Sequence, residues 1–262
     1  MIRKFLDLGL QPLANKYLTK KDLVKKKVEY YYHLEIGFNT TSKLVSILNT
    51  VPSKKMFDKE YPYRASMSHT MINSFNTGKW RVFGETLDLT IGQLIDQIGR
   101  YAGFSSPAGA IMEELARKSK NYLMLPYSVK GNDVSFSGIL TSAKKLLDND
   151  NKIEDVSYSL QETAYSMLTE VTERALAFLE KEEVLISGGV AASSRLKEML
   201  DSMCKERGAT LNVVPKKYAG DCGAQIAWTG ILSYKTGIEI SVSDSWVKQS
   251  WRLDRVKIKW RK

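Results

Sequence analysis

Two short stretches carry residue types that could bind a phosphate or a nucleotide. In residues 183–193 an apolar segment runs into Gly188 and Gly189 and then into a predicted helix. Glycine has no Cβ, so the backbone can turn sharply and approach a ligand, and the N–H groups of a following helix favour an anion. Asp221 lies 28 residues after Ser193, at the start of another apolar segment. Its carboxylate could cap a helix or hold a cation beside the anion; an ordinary tight turn is the alternative for the two glycines.

The composition indicates a globular protein with a basic surface. The 262 residues are 43% hydrophobic and 26% charged, which suffices for one large domain or two small ones. No apolar run is long enough to cross a membrane, and Asp7 interrupts the apolar start of the chain. We therefore expect no secretory signal, no membrane partner and a cytoplasmic location. The net charge of +10 is concentrated in residues 1–76 and 246–262, which indicates either nucleic-acid contacts or a solvated surface.

Helical and strand patterns alternate after residue 79. Apolar spacing predicts helices at 87–104, 110–118, 137–148, 153–180, 194–207 and 220–235. Short apolar runs predict strands at 79–83, 122–128, 133–136, 184–187 and 210–214. This alternation predicts an α/β layered domain, because each strand needs helices to cover its faces. Residues 1–76 show little helical periodicity. Strands are predicted there at 28–38 and 43–48, and a domain boundary is expected near Asn76.

Over residues 79–260 the sequence resembles the second lobe of the tRNA threonylcarbamoyladenosine transferase family, in its archaeal and eukaryotic form. Two of the matching runs are Lys130-Gly-Asn-Asp-Val-Ser-Phe-Ser-Gly138 and Leu168-Thr-Glu-Val-Thr-Glu-Arg-Ala175; others lie at 81–88, 121–122, 125–127, 158–164, 187–192 and 221–224. The resemblance implies an ASKHA fold (actin and sugar-kinase-like, RNase H-like), of which residues 77–262 would form a single lobe. It also implies transfer of threonylcarbamoyl from threonylcarbamoyl-adenylate to N6 of the adenosine beside the anticodon.

The resemblance further implies roles for individual residues, cofactors and partners. It assigns six residues to substrate and nucleotide binding: Asp96, Gly109, Glu113, Gly188, Gly189 and Ser193. It assigns Asp221 to a divalent metal ion, iron or similar, and it implies ATP or threonylcarbamoyl-adenylate as the nucleotide. The implied partners are tRNA and KEOPS-like subunits, namely a kinase-like ATPase and a small dimerising subunit.

The residues themselves leave alternatives open at these positions. Asp96 lies on a mostly apolar helix face, and a buried carboxylate needs a hydrogen-bond partner. A bound ligand and a structural hydrogen bond within the protein meet this need equally well. Glu113 and Glu114 stand at a helix start, where acids suit the helix dipole. For Asp221, a helix cap is compatible with a metal role.

Several positions depart from the family pattern. Ser193 replaces an asparagine, and Ala108 and Ala110 replace a glycine and a proline. The first lobe, with its His-x-x-x-His metal pair, is missing, and the only two histidines, His33 and His69, are 36 residues apart. Because one aspartate cannot hold a catalytic metal alone, we expect activity only with a partner polypeptide that supplies the first lobe. The alternative is a non-catalytic scaffold that binds partners or tRNA.

Residues 1–76 resemble the N-terminal zinc-binding segment of certain C-methyltransferases. The similarity lies in residues 5–15, 34–38 and 61–63. That family binds zinc through two cysteine pairs, whereas the only cysteines here are Cys204 and Cys222. Since structural zinc needs four Cys or His ligands, zinc binding is not expected. We predict a small strand-containing extension in front of the lobe.

Overall fold

The chain separates into two units, Met1–Ser66 and Met67–Lys262. The computed structural model describes residues 2–12, 31–39, 45–47, 70–76, 78–220, 223–241, 244 and 252–260. No helix in this described part of the chain combines the length and hydropathy needed to span a bilayer.

The first unit contains a three-stranded antiparallel sheet. Its strands are β1 (Ile2–Pro12), β2 (Tyr31–Asn39) and β3 (Val45–Ile47), in that order across the sheet. The predicted strands at 28–38 and 43–48 are thereby confirmed. The sequence predicts no strand at 2–12, because its apolar residues do not alternate regularly. Two register shifts in the β1–β2 pairing accommodate that irregular pattern.

The second unit begins with an antiparallel hairpin of β4 (Met71–Asn76) and β5 (Lys79–Glu85). The chain turns at Gly78, whose φ of 75° lies in the left-handed region that favours glycine. The predicted strand at 79–83 is confirmed as β5. Residues 73–76 are mostly polar and give no strand signal. They nevertheless pair with β5, although a domain boundary was expected near Asn76.

Helices supply most of the second unit. They are α1 (Ile91–Tyr101), α2 (Gly109–Arg117), α3 (Ser137–Asp148), α4 (Ile153–Phe178), α5 (Ser194–Glu206), α6 (Lys216–Ala219) and α7 (Gly223–Lys235). The long helix α4 contacts α2, α3 and α5. Its side chains Leu160, Tyr165 and Met167 are almost completely buried. It is therefore the central element of the core.

Two pairs of short strands complete the described part. The strands β6 (Val129–Lys130) and β7 (Asp133–Val134) are antiparallel, and β8 (Glu183–Ile186) and β9 (Thr210–Val213) are parallel, with α5 as their crossover. Strands and helices therefore alternate as predicted, and the α/β class is confirmed. The ASKHA arrangement stays a prediction.

The strand predicted at 122–128 is wrong. These residues form no regular element, and two of them are hydrogen-bonded to α4. The Leu123 N–H donates to Ser159 Oγ at 2.8 Å, and the Tyr122 hydroxyl lies 2.9 Å from Thr163 Oγ1. A side chain of α4 accepts the hydrogen bond of the Leu123 N–H, so this group needs no partner in a neighbouring strand.

The helix predicted from residue 87 begins four residues later, because Thr90 caps α1: its Oγ1 accepts from the Gln93 N–H at 3.1 Å. Asp88, two residues earlier, is bonded to the start of a different helix. Its carboxylate accepts hydrogen bonds from the N–H groups of Phe136 and Ser137, both at 2.9 Å, and from Ser135 Oγ at 2.5 Å. Burial would raise the pKa of Asp88, but these hydrogen bonds outweigh it and hold the pKa well below 3.8. Asp88 thus fixes the start of α3 as an ionised cap.

Candidate functional site

The two predicted glycines form an open turn after β8. Gly188 has φ 102° and ψ 171°, which is accessible almost only to glycine. Gly189 begins a short 3₁₀ turn, Gly189–Ala192, that the sequence did not predict and that precedes α5. Apart from adjoining residues, no atom of the residues that the structure describes lies within 4 Å of the place of a Cβ at either glycine. The backbone here is open to the close approach of a ligand, as the sequence predicts.

Ser193 is buried and serves as the N-cap of α5. Its Oγ accepts a hydrogen bond from the Leu196 N–H at 3.5 Å. Its hydroxyl also bonds to the buried side chain of Tyr165. Burial raises the pKa of Tyr165 to about 12, the hydrogen bond from Ser193 opposes this rise, and the charge of Glu113 adds to it. The structure therefore uses Ser193 to hold the helix start.

Glu113 connects α2 to the N-terminus of α5. Its Oε1 accepts from the Ser194 N–H at 2.8 Å and from Arg117 Nη2 at 3.1 Å, and Arg117 Nη2 also donates to Ser194 Oγ at 3.1 Å. The side chain of Glu113 is only 17% exposed. A carboxylate at this position is stabilised by the positive end of the α5 dipole. It occupies the place where the turn was predicted to hold an external anion.

Asp96 holds the loop between α1 and α2. Its Oδ1 accepts from the Ala108 N–H at 3.1 Å and its Oδ2 from Arg100 Nε at 3.1 Å, and its side chain is 13% exposed. Gly99 lets this loop sit against α1, because a Cβ there would lie 2.2 Å from Ala108 Cβ. Asp96 therefore makes the structural hydrogen bond that the sequence left open as an alternative to ligand binding.

The structure connects all six predicted binding residues. Asp96 fixes Ala108, which precedes Gly109 at the start of α2, and Glu113 lies one turn further along that helix. Glu113 in turn bonds Ser194, which follows Ser193 and the glycine turn. We call this region, made of Asp96, Gly109, Glu113, Gly188, Gly189 and Ser193, the α2–α5 site.

The predicted metal ligand Asp221 lies outside the described residues, as does Cys222. Within the described ranges, no group of three or more His, Cys, Asp or Glu side chains is arranged to hold a metal ion. The described part of the α2–α5 site therefore offers backbone groups and two carboxylates, but no metal centre of its own.

An ion pair that sequence reasoning missed anchors the site to the core. Arg195 Nε and Nη2 lie 2.6 Å and 2.7 Å from the two carboxylate oxygens of Glu162 in α4. These hydrogen bonds raise the pKa of Arg195 above its ordinary value. A bidentate pair of this kind fixes orientation as well as position. The two residues are 33 positions apart, and no periodicity in the sequence relates them.

Comparison with known proteins assigns the family. Residues 54–228 match the family model described as tRNA N6-adenosine threonylcarbamoyltransferase. Over most of this range the structure has the alternating α/β elements and the glycine turn that the sequence predicted. The chain belongs to the tRNA N6-adenosine threonylcarbamoyltransferase family. Residues 1–57 match a second family model, described as a putative zinc binding domain.

Curated relatives bear the same name. A tRNA N6-adenosine threonylcarbamoyltransferase from Caldivirga maquilingensis is 50% identical over 195 residues, which are 74% of this chain and 59% of that protein. One from Archaeoglobus fulgidus is 53% identical, over 70% of this chain and 56% of that protein. A probable bifunctional tRNA threonylcarbamoyladenosine biosynthesis protein from Methanothermobacter thermautotrophicus is 48% identical, over 74% of this chain and 36% of that protein. The chain thus spans little more than half the length of the first two.

Proposed function

We propose that this chain acts in tRNA modification as one half of a threonylcarbamoyltransferase. The reaction would transfer threonylcarbamoyl from threonylcarbamoyl-adenylate to N6 of the adenosine beside the anticodon. Membership of the family carries this proposal, since the match includes every described residue of the α2–α5 site. The domain assignment, with residues 1–76 as an extension and 77–262 as a single ASKHA lobe, is part of the same proposal.

The α2–α5 site would bind the adenylate through its open backbone. At Gly109, Gly188 and Gly189 no described residue fills the space where a Cβ would stand, so a planar base or a phosphate can approach the main chain closely. Glu113 could accept a hydrogen bond from a ribose hydroxyl beside its bond to Ser194. Asp96 would act mainly by keeping Gly109 in position, because both of its oxygens already have partners.

A divalent ion, iron or similar, is the cofactor that the family implies, and it would supply Lewis-acid chemistry when bound. The described residues do not fit such an ion, because no three ligating side chains converge among them. Asp221 alone cannot complete a coordination shell. A metal would need further ligands from outside the described residues, and we propose that the first-lobe polypeptide supplies them. Zinc is not expected in residues 1–57, which hold one histidine and no cysteine.

A second polypeptide carrying the first lobe is the partner we propose. None of the described side chains of α7 is buried, and Ile226 and Tyr234 are 77% and 70% exposed. Leu185 on the parallel strand β8 is 68% exposed. Apolar surface of this extent favours an additional layer of protein. The further partners would be tRNA and KEOPS-like subunits, including a kinase-like ATPase and a small dimerising subunit.

A non-catalytic scaffold is the second candidate function. It is favoured by one observation, that Ser193 and Glu113 are both used to cap α5. A lobe that has lost turnover could keep the family's tRNA or partner surface while using its former ligand residues for stability.

Calorimetry separates the two candidates. ATP would be titrated into the full chain alone, and into the chain mixed with a separately produced first lobe from the Archaeoglobus relative. The enzyme proposal predicts ATP binding in the mixture, and Gly188→Val, which fills the open turn, should abolish it. Absence of ATP binding in the mixture would refute the enzyme proposal, whereas assembly of the two polypeptides without ATP binding would support the scaffold.

A further inference from the structure

The β4–β5 hairpin carries a pair of lysines brought together by the backbone. Residues 252–260 return to this hairpin, and Lys257 lies antiparallel and opposite Lys79. The Ile258 N–H donates to the Gly78 carbonyl at 2.7 Å. This bond flanks the lysine pair rather than joining it, which is the arrangement that places opposite side chains closest together. Both lysines are exposed.

Further cations lie beside this pair. Arg81 follows Lys79 by two positions on β5 and therefore shares its face of the sheet. Along residues 252–260, Arg255 and Lys259 flank Lys257, and all of these side chains are exposed. We call the five residues the basic edge: Lys79, Arg81, Arg255, Lys257 and Lys259.

Acidic neighbours do not neutralise the basic edge. The segments 78–85 and 252–260 contain only two acidic residues, Glu85 and Asp254. Both lie beside Arg252, whose guanidinium is 3.7 Å from Glu85 and 3.3 Å from Asp254. Among the residues that the structure describes, none of the five basic-edge side chains makes an ion pair.

The local backbone is built to keep the cations together. Gly78 is buried with a φ of 75°, and a Cβ at this position would lie 2.9 Å from the carbonyl oxygen of Ile258. Glycine therefore lets the returning segment sit against the hairpin. Like charges opposite each other destabilise a sheet, so this arrangement is favourable only when an anion offsets the repulsion.

We propose that the basic edge binds the phosphodiester backbone of tRNA; the choice of tRNA rests on the proposed function. Lysine and arginine make most protein contacts with nucleic-acid phosphates, and a row of cations along a strand suits a linear polyanion. A lipid surface fits less well, because membrane-binding segments place large apolar side chains beside their charges. Across the segments 78–85 and 252–260, the one exposed large hydrophobic side chain is Leu253, at 39%.

The test measures tRNA binding by the full chain over a range of salt concentrations. In the variant K79Q/K257Q the slope of log K against log salt should fall by roughly 1.4–1.8, because two phosphate contacts are lost. The dissociation constant at about 0.1 M salt should rise roughly tenfold. The matched control K120Q/K145Q removes the same charge from exposed lysines on other elements, and its slope should be unchanged.

Three results would overturn the proposal: an equal effect in both double variants, no tRNA binding by the unmodified chain at about 50 mM salt, or binding to anionic lipid vesicles in place of tRNA. Urea unfolding supplies a structural readout, since K79Q/K257Q removes a repulsion and should be at least as stable as the unmodified chain. Threonylcarbamoyl transfer is measured separately, from the modified nucleoside. The tRNA surface and the proposed function can therefore fail independently.

Discussion

At the scale of single residues, Glu113 has two roles: it is a proposed ligand for the adenylate, and it caps α5 in the structure. Its bond to the Ser194 N–H at 2.8 Å supports the cap in the ligand-free chain. An acid was expected at this position to suit the dipole of its own helix. The structure directs it instead to the dipole of a helix 81 residues away, a relation that no local pattern in the sequence contains.

We expect Glu113→Ala to lower the free energy of unfolding by about 1–2 kcal/mol, because α5 loses a charged cap and Arg117 loses its partner. Inorganic phosphate should then stabilise the variant more than the original chain, since the positive helix end is free to bind it. Urea denaturation with and without phosphate measures both effects. Glu114→Ala is the control, because the Glu114–Lys118 pair is exposed and such pairs contribute little. Equal effects of the two substitutions would contradict the cap.

The low pKa of Asp88 predicts a pH-dependent contribution to stability. A carboxylate whose pKa is lowered by folding stabilises the protein at pH values above the ordinary pKa of that group, which is 3.8 for Asp88. This stabilisation is lost as the pH falls below 3.8. Asp88→Asn should therefore cost about 1 kcal/mol at neutral pH, and the cost should be constant from about pH 5 to 8 and shrink below about pH 4. Urea denaturation at a series of pH values tests this. A difference that persists unchanged in strong acid would show that ionisation of Asp88 is unimportant.

At the scale of elements, the contact between α1 and the loop before α2 fixes the position of Gly109. Gly99→Ala should destabilise the chain by about 1–3 kcal/mol, because its methyl group would overlap Ala108. Gly92→Ala is a matched control in the same helix, since its Cβ would lie 3.7 Å from Val190 Cγ2, an ordinary contact. It should stabilise the helix by about 0.5–1 kcal/mol. Thermal unfolding of both variants measures the change in Tm. A change of the same sign in Gly99→Ala and Gly92→Ala would contradict this explanation.

Periodicity predicted the elements that local sequence determines. The helix predicted at 137–148 has the same bounds in α3, because its apolar positions have helical spacing; Asp88 caps its start from 48 residues away. The strand at 122–128 failed because its partners are side chains of α4, which no pattern within the segment reveals. The start of α1 was placed four residues too early because Thr90 caps this helix: Thr90 Oγ1 accepts from the Gln93 N–H, and Gln93 Oε1 accepts from the Thr90 N–H. Periodicity thus locates a helix, whereas its first residue depends on the side chain that caps it.

The same distinction applies to the candidate site. Gly188 and Gly189 could be identified from sequence because a tight turn needs glycine, and the turn is confirmed. Tertiary contacts determine the features that could not be predicted: the 3₁₀ turn after these glycines, the Arg195–Glu162 pair and the hydrogen bonds to the two oxygens of Asp96. The ligand roles of the six residues remain predictions.

At the scale of the whole molecule, the exposed apolar side chains of α7 predict a partner surface. The double substitution Ile226→Ser with Tyr234→Ser should leave the unfolding free energy within about 0.5 kcal/mol, because both side chains are already exposed. It should weaken assembly with a first-lobe polypeptide at least tenfold, since each buried apolar side chain contributes about 1.5–3 kcal/mol. Met124→Gln is the control, at a side chain that is also exposed. Size-exclusion chromatography and titration of the two polypeptides would contradict the account if both changes weakened assembly equally.

The proposed function makes this chain one half of a threonylcarbamoyl-transferring enzyme. Its most direct test is mass spectrometry of tRNA nucleosides after incubating tRNA and threonylcarbamoyl-adenylate with the chain, with a separately made first lobe, and with both. The account predicts N6-threonylcarbamoyladenosine only when both polypeptides are present, and its loss when Gly188→Val replaces the original chain. No modified nucleoside from the mixture, under conditions in which the full-length Archaeoglobus relative produces it, would contradict the account.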